Sequence, residues 1–581
     1  MTTTTTTSSV AGLTTALALV GRPRGQPGRC WTQCENETCR RLLIADADAS
    51  RLRVCPYCQH HRYISARERL AQVLDPGSFA ECDAELTAPD PLEFIAAGET
   101  YPDKVRRAQQ RTREPEAAIG GSARIGGQPV EIVVLDFRFM GGTLGCVVGE
   151  KVARAAERAL ANHSALVTIN ASGGARMHEG LLALMQLGKT VVSLSWLAAA
   201  GVPHISVLAN PTLGGVTASY AGLGDVLIAE RGALVGFAGP RVVEQITREP
   251  LPPDAQRASF LLQHGMADMV VERVALRPML IALVRLYAAR RPSGERTLPN
   301  LPRAPETGHR SGNEPNPWER VQLARHRARP TTLDYAQLAF DSFLELHGDR
   351  LFADDPAIVG GLASLQGRTV ILIGHQRGRS THEAALRHFG MPRPEGYRKA
   401  LRLMRQAERF RLPVVTLVDT PGADPSLEAE QRGQALAIAN NLLAMCELRV
   451  PLVSLICGEG GSGGALALAL ADRVLMLENS VYSVASPEAA ATILWRDATR
   501  GPEAAEAMKI TAQDAARLGV VDSIVAEPAG GAHMDPAATA LAVRQALIAQ
   551  LDDLAQLSPH ELLHNRMARY RHIDRSRVTG V

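Results

Sequence analysis

The chain has 581 residues, a formal net charge of +3, 46% apolar side chains, 4% aromatics and 50 glycines. That length exceeds one core and predicts two large domains plus smaller additions. The near-neutral charge argues against nucleic acid as the main partner. No apolar run approaches the ~20 residues of a membrane span. The nearest, 10–20, follows a Thr/Ser tract without Lys or Arg and so lacks a signal peptide's basic start.

In chain order, residues 1–28 read as a disordered tail, and residues 29–62 then hold five of the nine cysteines. Cys34-x4-Cys39, fifteen intervening residues and Cys55-Pro-Tyr-Cys58 form a zinc-ribbon pattern, in which four thiolates complete a tetrahedral site. All four positions are protein ligands, so such a zinc is structural rather than catalytic. Cys30 is near enough to compete as a ligand, and the rest of the cysteines follow no disulfide spacing, which predicts a reducing cytoplasmic setting.

Residues 63–290 and 317–581 are each predicted to be an α/β unit, joined by a Pro/Gly-rich linker at 291–316. Short Val/Ile-rich runs at 131–135, 165–169, 204–208, 369–373, 414–418 and 452–456 predict buried strands. Helical stretches such as 151–160 and 400–410 follow them, giving repeated strand–helix–strand crossovers.

The two units are diverged copies. Val167-Thr-Ile-Asn-Ala-Ser-Gly-Gly-Ala175 matches Val415-Thr-Leu-Val-Asp-Thr-Pro-Gly-Ala423 at an offset of 248, and Gly214-Gly215 matches Gly463-Gly464 at 249. Glycines at a strand-to-helix turn let a ligand approach the backbone, and the helix start aims N–H groups at negative charge. Two such turns predict a site that stabilises two developing anions.

Asp136-Phe-Arg-Phe-Met-Gly-Gly142, Ser172-Gly-Gly-Ala-Arg-Met177, Gly214-Gly-Val-Thr-Ala-Ser219 and Gly236-Phe-Ala-Gly-Pro-Arg241 closely resemble the β subunit of bacterial acetyl-CoA carboxylase carboxyltransferase. Arg329-Pro-Thr-Thr-Leu-Asp-Tyr335, Glu345-Leu-His-Gly-Asp-Arg350, Pro394-Glu-Gly-Tyr-Arg-Lys399 and Gly458-Glu-Gly-Gly-Ser-Gly-Gly464 resemble the α subunit, so the chain looks like a β–α fusion. The resemblance implies two tandem crotonase-type ββα superhelical domains behind an N-terminal zinc ribbon. It also implies transfer of a carboxyl group from carboxybiotin, borne on a separate carrier protein, to acetyl-CoA, giving malonyl-CoA for fatty acid biosynthesis.

Within that resemblance the β-type half holds CoA and the α-type half biotin. Gly214 and Gly215 would face the thioester oxygen, and Gly463 and Gly464 the biotin ureido oxygen. The turn of Gly173, Gly174 and Arg176 would bind substrate or support the pocket. The family's half-sites meet across a subunit interface, which predicts a homodimer equivalent to an α2β2 assembly. Biotin carboxylase and the biotin carboxyl carrier protein are the implied partners, because no ATP-binding glycine pattern is present.

Two departures stand out on the biotin side: Asp424 replaces the usual aromatic, and Arg377-Gly-Arg-Ser-Thr-His-Glu383 differs from the common form. Glu506-Ala-Met-Lys509 mimics a biotin-attachment motif, but its flanks read as helix. The rival readings are a propionyl-CoA or longer acyl-CoA carboxyltransferase and, in another class, a zinc-ribbon nucleic-acid binder.

Overall fold

The computed structural model describes residues 31–36, 38–45, 52–96, 98–289, 316–574 and 578. The expected tail (1–28), Cys30 and all but the last residue of the expected linker lie outside them. Contacts divide the chain after Arg62 into two units, residues 1–62 and 63–581. In the first unit, β1 (Trp31–Gln33) pairs antiparallel with β2 (Leu42–Ile44), and Leu43 packs with Cys34 and Cys55.

The larger unit repeats one topology twice. Its first half runs α1 (Ala66–Val73), β3 (Ala80–Cys82), a short hairpin of β4 (Ile95–Ala96) and β5 (Glu99–Thr100), α2 (Tyr101–Thr112), β6 (Ala118–Ile125), β7 (Gln128–Leu135) and α3 (Cys146–Asn162). It continues with β8 (Ala165–Ser172), α4 (Gly180–Ala200), β9 (His204–Leu213), β10 (Val226–Glu230), β11 (Val235–Gly236), α5 (Pro240–Thr247), β12 (Met269–Val271) and α6 (Leu276–Ala288). The sheet order is β12-β10-β9-β8-β7-β6-β3, with β11 on the end of β9.

The second half has α7 (Thr332–Leu338), β13 (Ser342–Glu345), β14 (Ile358–Leu365), β15 (Arg368–His375), α8 (Pro394–Phe410), β16 (Val414–Thr420), α9 (Leu427–Gln431) and α10 (Gln434–Glu447). Then come β17 (Leu452–Gly461), α11 (Ser462–Leu466), β18 (Arg473–Leu477), β19 (Val481–Ser483), α12 (Pro487–Trp495), α13 (Gly501–Ala507), β20 (Ser523–Val525), α14 (Pro536–Leu554) and α15 (Pro559–Arg571). Its order, β13-β14-β15-β16-β17-β18-β20 with β19 on β17, reproduces the first sheet strand for strand.

Both sheets are mixed. The six predicted strand runs fall inside β7, β8, β9, β15, β16 and β17, all joined in parallel. The antiparallel strands β3, β6, β13 and β14 were not anticipated. Their signal is weakened by a second pair of double glycines, which close packing requires. A Cβ on Gly121 would lie 2.1 Å from the Ala80 carbonyl oxygen, and one on Gly361 2.0 Å from that of Leu344. The edge strand crosses there with no room for a side chain.

A long helix joins the halves. α4 is apolar on nearly every face and almost wholly buried, because it packs against α3 of its own half and α10 and α15 of the other. By length and composition it would pass as a membrane span, but it is buried inside the protein. Gln186 and Lys189 break its apolar run. Their side chains reach the Asp574 carboxylate, and Lys189 also meets Glu150 at 3.2 Å. A helix hydrophobic all round belongs inside a large core, and one continuous cluster runs through it from Leu135 to Ile456.

Candidate active site

The strand-to-helix turns of both halves line one cleft of about 170 Å³. From the first half come Gly173, Gly174, Ala175, Gly214 and Gly215; from the second come Gly422, Ala423, Ser462 and Gly463. Leu187 of α4 stands between them. A Cβ on Gly215 would lie 3.0 Å from Leu187 Cδ1, and one on Gly463 3.6 Å from its Cδ2. Apolar Met177, Leu184, Val242 and Ile493 complete the walls.

Equivalent positions differ by one residue from the sequence match. β9 ends at Leu213 and β17 at Gly461, so the next residues, Gly214 (φ +64°) and Ser462 (φ +61°), correspond in left-handed backbone. Gly215 is therefore the partner of Gly463, and Val216 that of Gly464. Val216 is a core side chain. The Gly464 α-carbon likewise faces inward, where a Cβ would meet Ala423 N at 2.6 Å and the Tyr397 hydroxyl at 2.7 Å. Gly464 supports the turn from behind rather than lining the cleft.

Backbone donors sort the glycines further. The N–H of Gly214 donates to the Gly236 carbonyl at 3.1 Å, and that of Gly173 to Gly141 at 2.8 Å. The N–H of Gly174 donates to Ser172 Oγ at 3.1 Å, and Gly422 repeats the bond to Thr420 Oγ1 at 3.1 Å. Among the described residues, the N–H groups of Ala175, Gly215 and Ala423 have no protein acceptor. That of Gly463, in the first turn of α11, has no partner within its helix. Each half thus offers two cleft-lining residues with donors to spare, one from each of its turns. The alanines had no sequence signal, since any residue can supply an N–H.

Of the two roles the sequence leaves open for Arg176, its contacts fit support of the pocket. Its side chain is fully buried, bidentate to Glu116 at 2.6 and 2.7 Å, and bonded to the Thr143 carbonyl at 3.0 Å and the Tyr101 hydroxyl at 3.1 Å. A guanidinium so saturated cannot reach a substrate; it braces the turn. Asp424 occupies the corresponding place in the second half, where its carboxylate pairs with Arg393 at 2.9 Å and accepts from Ser426 N at 2.8 Å. The two halves thus brace equivalent turns with side chains of opposite charge.

A carboxylate of the second half also holds a wall of the first. Glu430 of α9 accepts from the N–H of Phe237 at 2.6 Å and of Ala238 at 3.3 Å, and from Gln256 Nε2 at 2.8 Å. Phe237 and Ala238 line the cleft. Burial raises the Glu430 carboxyl to about 7 against the pull of these donors.

Both glycine turns line the cleft from within one chain, because α4 and its neighbours hold the halves face to face. Lys509 follows α13 in a turn with φ +51°, not at a hairpin tip.

In the other unit, the four ribbon sulfurs lie within 4.8 Å of one another, with Cys34–Cys58 at 3.6 Å and Cys39–Cys55 at 3.9 Å. Tetrahedral zinc at ~2.3 Å from each sulfur requires edges of about 3.8 Å. The cluster fits a structural zinc.

Comparison with known proteins gives concordant results. A family described as "Acetyl co-enzyme A carboxylase carboxyltransferase-like" matches residues 306–574. The acetyl-coenzyme A carboxylase carboxyl transferase subunits beta/alpha of Salinispora arenicola are 50% identical over 556 residues, 95% of this chain and 98% of theirs. The separate subunit alpha of Thermus thermophilus is 60% identical over 255 residues, 44% of this chain and 81% of its own. A solved transcarboxylase 12S structure covers 88% of this chain and 92% of its own at 23% identity, with a TM-score of 0.35.

Proposed function

We propose a division of labour for the cleft that starts from one premise: the chain belongs to the family of fused beta/alpha carboxyl transferase subunits of acetyl-coenzyme A carboxylase, and is an acetyl-CoA carboxyltransferase. In our reading the first half faces acetyl-CoA and the second faces carboxybiotin brought by a carrier protein, with biotin carboxylase supplying the charged carrier. Gly215 and Ala175 direct N–H groups at the thioester oxygen. Gly463 and Ala423 direct theirs at the ureido oxygen.

Carboxybiotin supplies both the carbon dioxide and, through its ureido nitrogen, the base that takes the α-proton of the thioester. The enolate then forms its new C–C bond to carbon dioxide, giving malonyl-CoA. Negative charge develops on two oxygens, one on each side of Leu187, and fixed backbone donors stabilise both without reorganisation. The apolar walls keep water from a short-lived enolate.

The observation that carries this reading is the pair of matching donor sets in one cleft. Purified chain is expected to make malonyl-CoA only when carboxybiotin is supplied. ATP-dependent synthesis by the chain alone, or biotin found by mass on Lys509, overturns it. The ribbon is expected to hold about one zinc per chain, with Cys55→Ser lowering the metal content. Elemental analysis without zinc in chelator-free preparations would contradict that.

A further inference from the structure

A basic depression borders the cleft on the first-half side. Helix α2 starts at an N-cap Thr100 whose hydroxyl accepts from Asp103 N at 3.3 Å, and it stops at Arg113 in left-handed backbone. Tyr101, Val105, Ala108 and Thr112 form its buried face. Lys104, Arg107 and Arg111, at i, i+3 and i+7, share another face. These three border a cavity of about 840 Å³ with Met140 and His178, and no carboxylate lines it among the described residues.

The charges there are only partly compensated. Arg107 pairs with Glu99, whereas Arg111 donates to the uncharged Arg138 carbonyl. Lys104 Nζ lies 3.3 Å from His178 Nε2, and burial, with Lys104 and Arg176 nearby, holds that imidazole neutral at about 3. Lys104, near the Glu99 carboxylate that pairs with Arg107, and Arg111 thus face the cavity without an ion pair of their own among the described residues. A recess of the second half is also arginine-lined, with Arg329 bound to Glu527 and Arg377 to Asp419 at 2.9 Å.

The depression and the cleft share a wall. Met177 lines the cleft and the next residue, His178, lines the depression. Gly173 of the cleft donates to the carbonyl of Gly141, which follows Met140 of the depression. A ligand with an apolar thioester end and a phosphate-bearing end could occupy both.

We propose that Lys104, Arg107 and Arg111 hold the phosphoanions at the nucleotide end of acyl-CoA, a role the buried Arg176 cannot fill. The proposal rests on the reading that the first half takes the CoA substrate. Ammonium and guanidinium groups on a half-exposed helix face suit phosphates that remain partly solvated. A free nucleotide offers the same chemistry, so the test separates the two sources.

Lys104→Ala and Arg111→Ala are compared with wild type in malonyl-CoA formation, using acetyl-CoA and the phosphate-free acetyl-pantetheine. Each variant is expected to raise the KM for acetyl-CoA about tenfold while kcat falls less than twofold, with no change in kcat/KM for acetyl-pantetheine. Adenosine 3′,5′-bisphosphate is expected to compete with acetyl-CoA in wild type. An unchanged acetyl-CoA KM, or an equal loss on acetyl-pantetheine, overturns the phosphate site alone, leaving the assignment of the halves intact. Non-competitive inhibition by the bisphosphate means an independent nucleotide site and also overturns it. Competition with carboxybiotin instead overturns the assignment of the halves as well.

Discussion

The two halves of the larger unit build the same pocket wall with different braces. In each, a hydroxyl at the end of a strand, Ser172 or Thr420, receives the N–H of a glycine two residues on, Gly174 or Gly422. In each, the next strand ends in left-handed backbone, at Gly214 or Ser462. The residues behind these turns diverge: Arg176 on Glu116 in one half, Asp424 on Arg393 in the other. What the halves share is the placement of free N–H groups; the side chains that hold them there are interchangeable. Chemistry that uses backbone donors constrains the turn and leaves the brace free to change.

The largest expected effects test whether the shared part carries the chemistry. Gly215→Val and Gly463→Val direct their new carbons toward Leu187 and the cleft, at positions whose Cβ has 3.0 Å and 3.6 Å of clearance. Loss of an oxyanion donor lowers turnover on the order of 100- to 1000-fold elsewhere, and each variant is expected to lose malonyl-CoA formation on that scale. Gly215→Val is expected to spare decarboxylation of carboxybiotin without acceptor, whereas Gly463→Val impairs it too. Identical behaviour of the two folded variants in that assay would break the assignment of one anion to each half. Gly464→Val does not belong in this test, since its Cβ meets backbone at 2.6 Å and it is expected to fail by folding.

The braces are expected to differ in strength. Arg176 and Glu116 are both buried, so Arg176→Met leaves a carboxylate uncompensated and is expected to cost about 3–5 kcal/mol of stability. The Arg393 side chain is 34% exposed, and solvent screens its pair with Asp424, so Asp424→Asn is expected to cost about 1 kcal/mol or less. Urea unfolding of both variants measures the contrast. Equal losses would mean that the two halves are braced alike.

Much of this was legible in the sequence because period and offset survive divergence. The parallel strands announced themselves as Val/Ile runs, and the offset of 248 predicted two copies of one fold. The pairing of Gly214-Gly215 with Gly463-Gly464 was one residue out, because identical letters were matched where the backbone matches Gly214 to Ser462. Gly120-Gly121 and Gly360-Gly361 looked like any other double glycines and proved to be strand crossings. Arg176 stayed open between substrate ligand and pocket support because its partner Glu116 is 60 residues away in sequence. Contacts across such distances leave no local pattern.

The smallest expected effect concerns a carboxylate, Glu430, that ties the halves together at the cleft. Glu430 has a folded value of about 7 against an ordinary 4.5, because burial penalises its charge more than its donors favour it. Between those two values the folded protein keeps a proton that the unfolded chain has released. The contribution of Glu430 to stability is therefore complete below about pH 4.5 and falls as the pH rises to about 7. Glu430→Gln cannot titrate, and its amide oxygen can still accept from Phe237 and Ala238. The stability of wild type relative to the variant is expected to decline across that window, by on the order of 1–3 kcal/mol. The Phe237–Gly239 wall is a wall of the first half's pocket, so a matching slope in the KM for acetyl-CoA, absent from the variant, would show that the second half sets the shape of the first. Parallel pH profiles for the two proteins would mean that Glu430 holds no proton near neutrality and that the halves are coupled by packing alone.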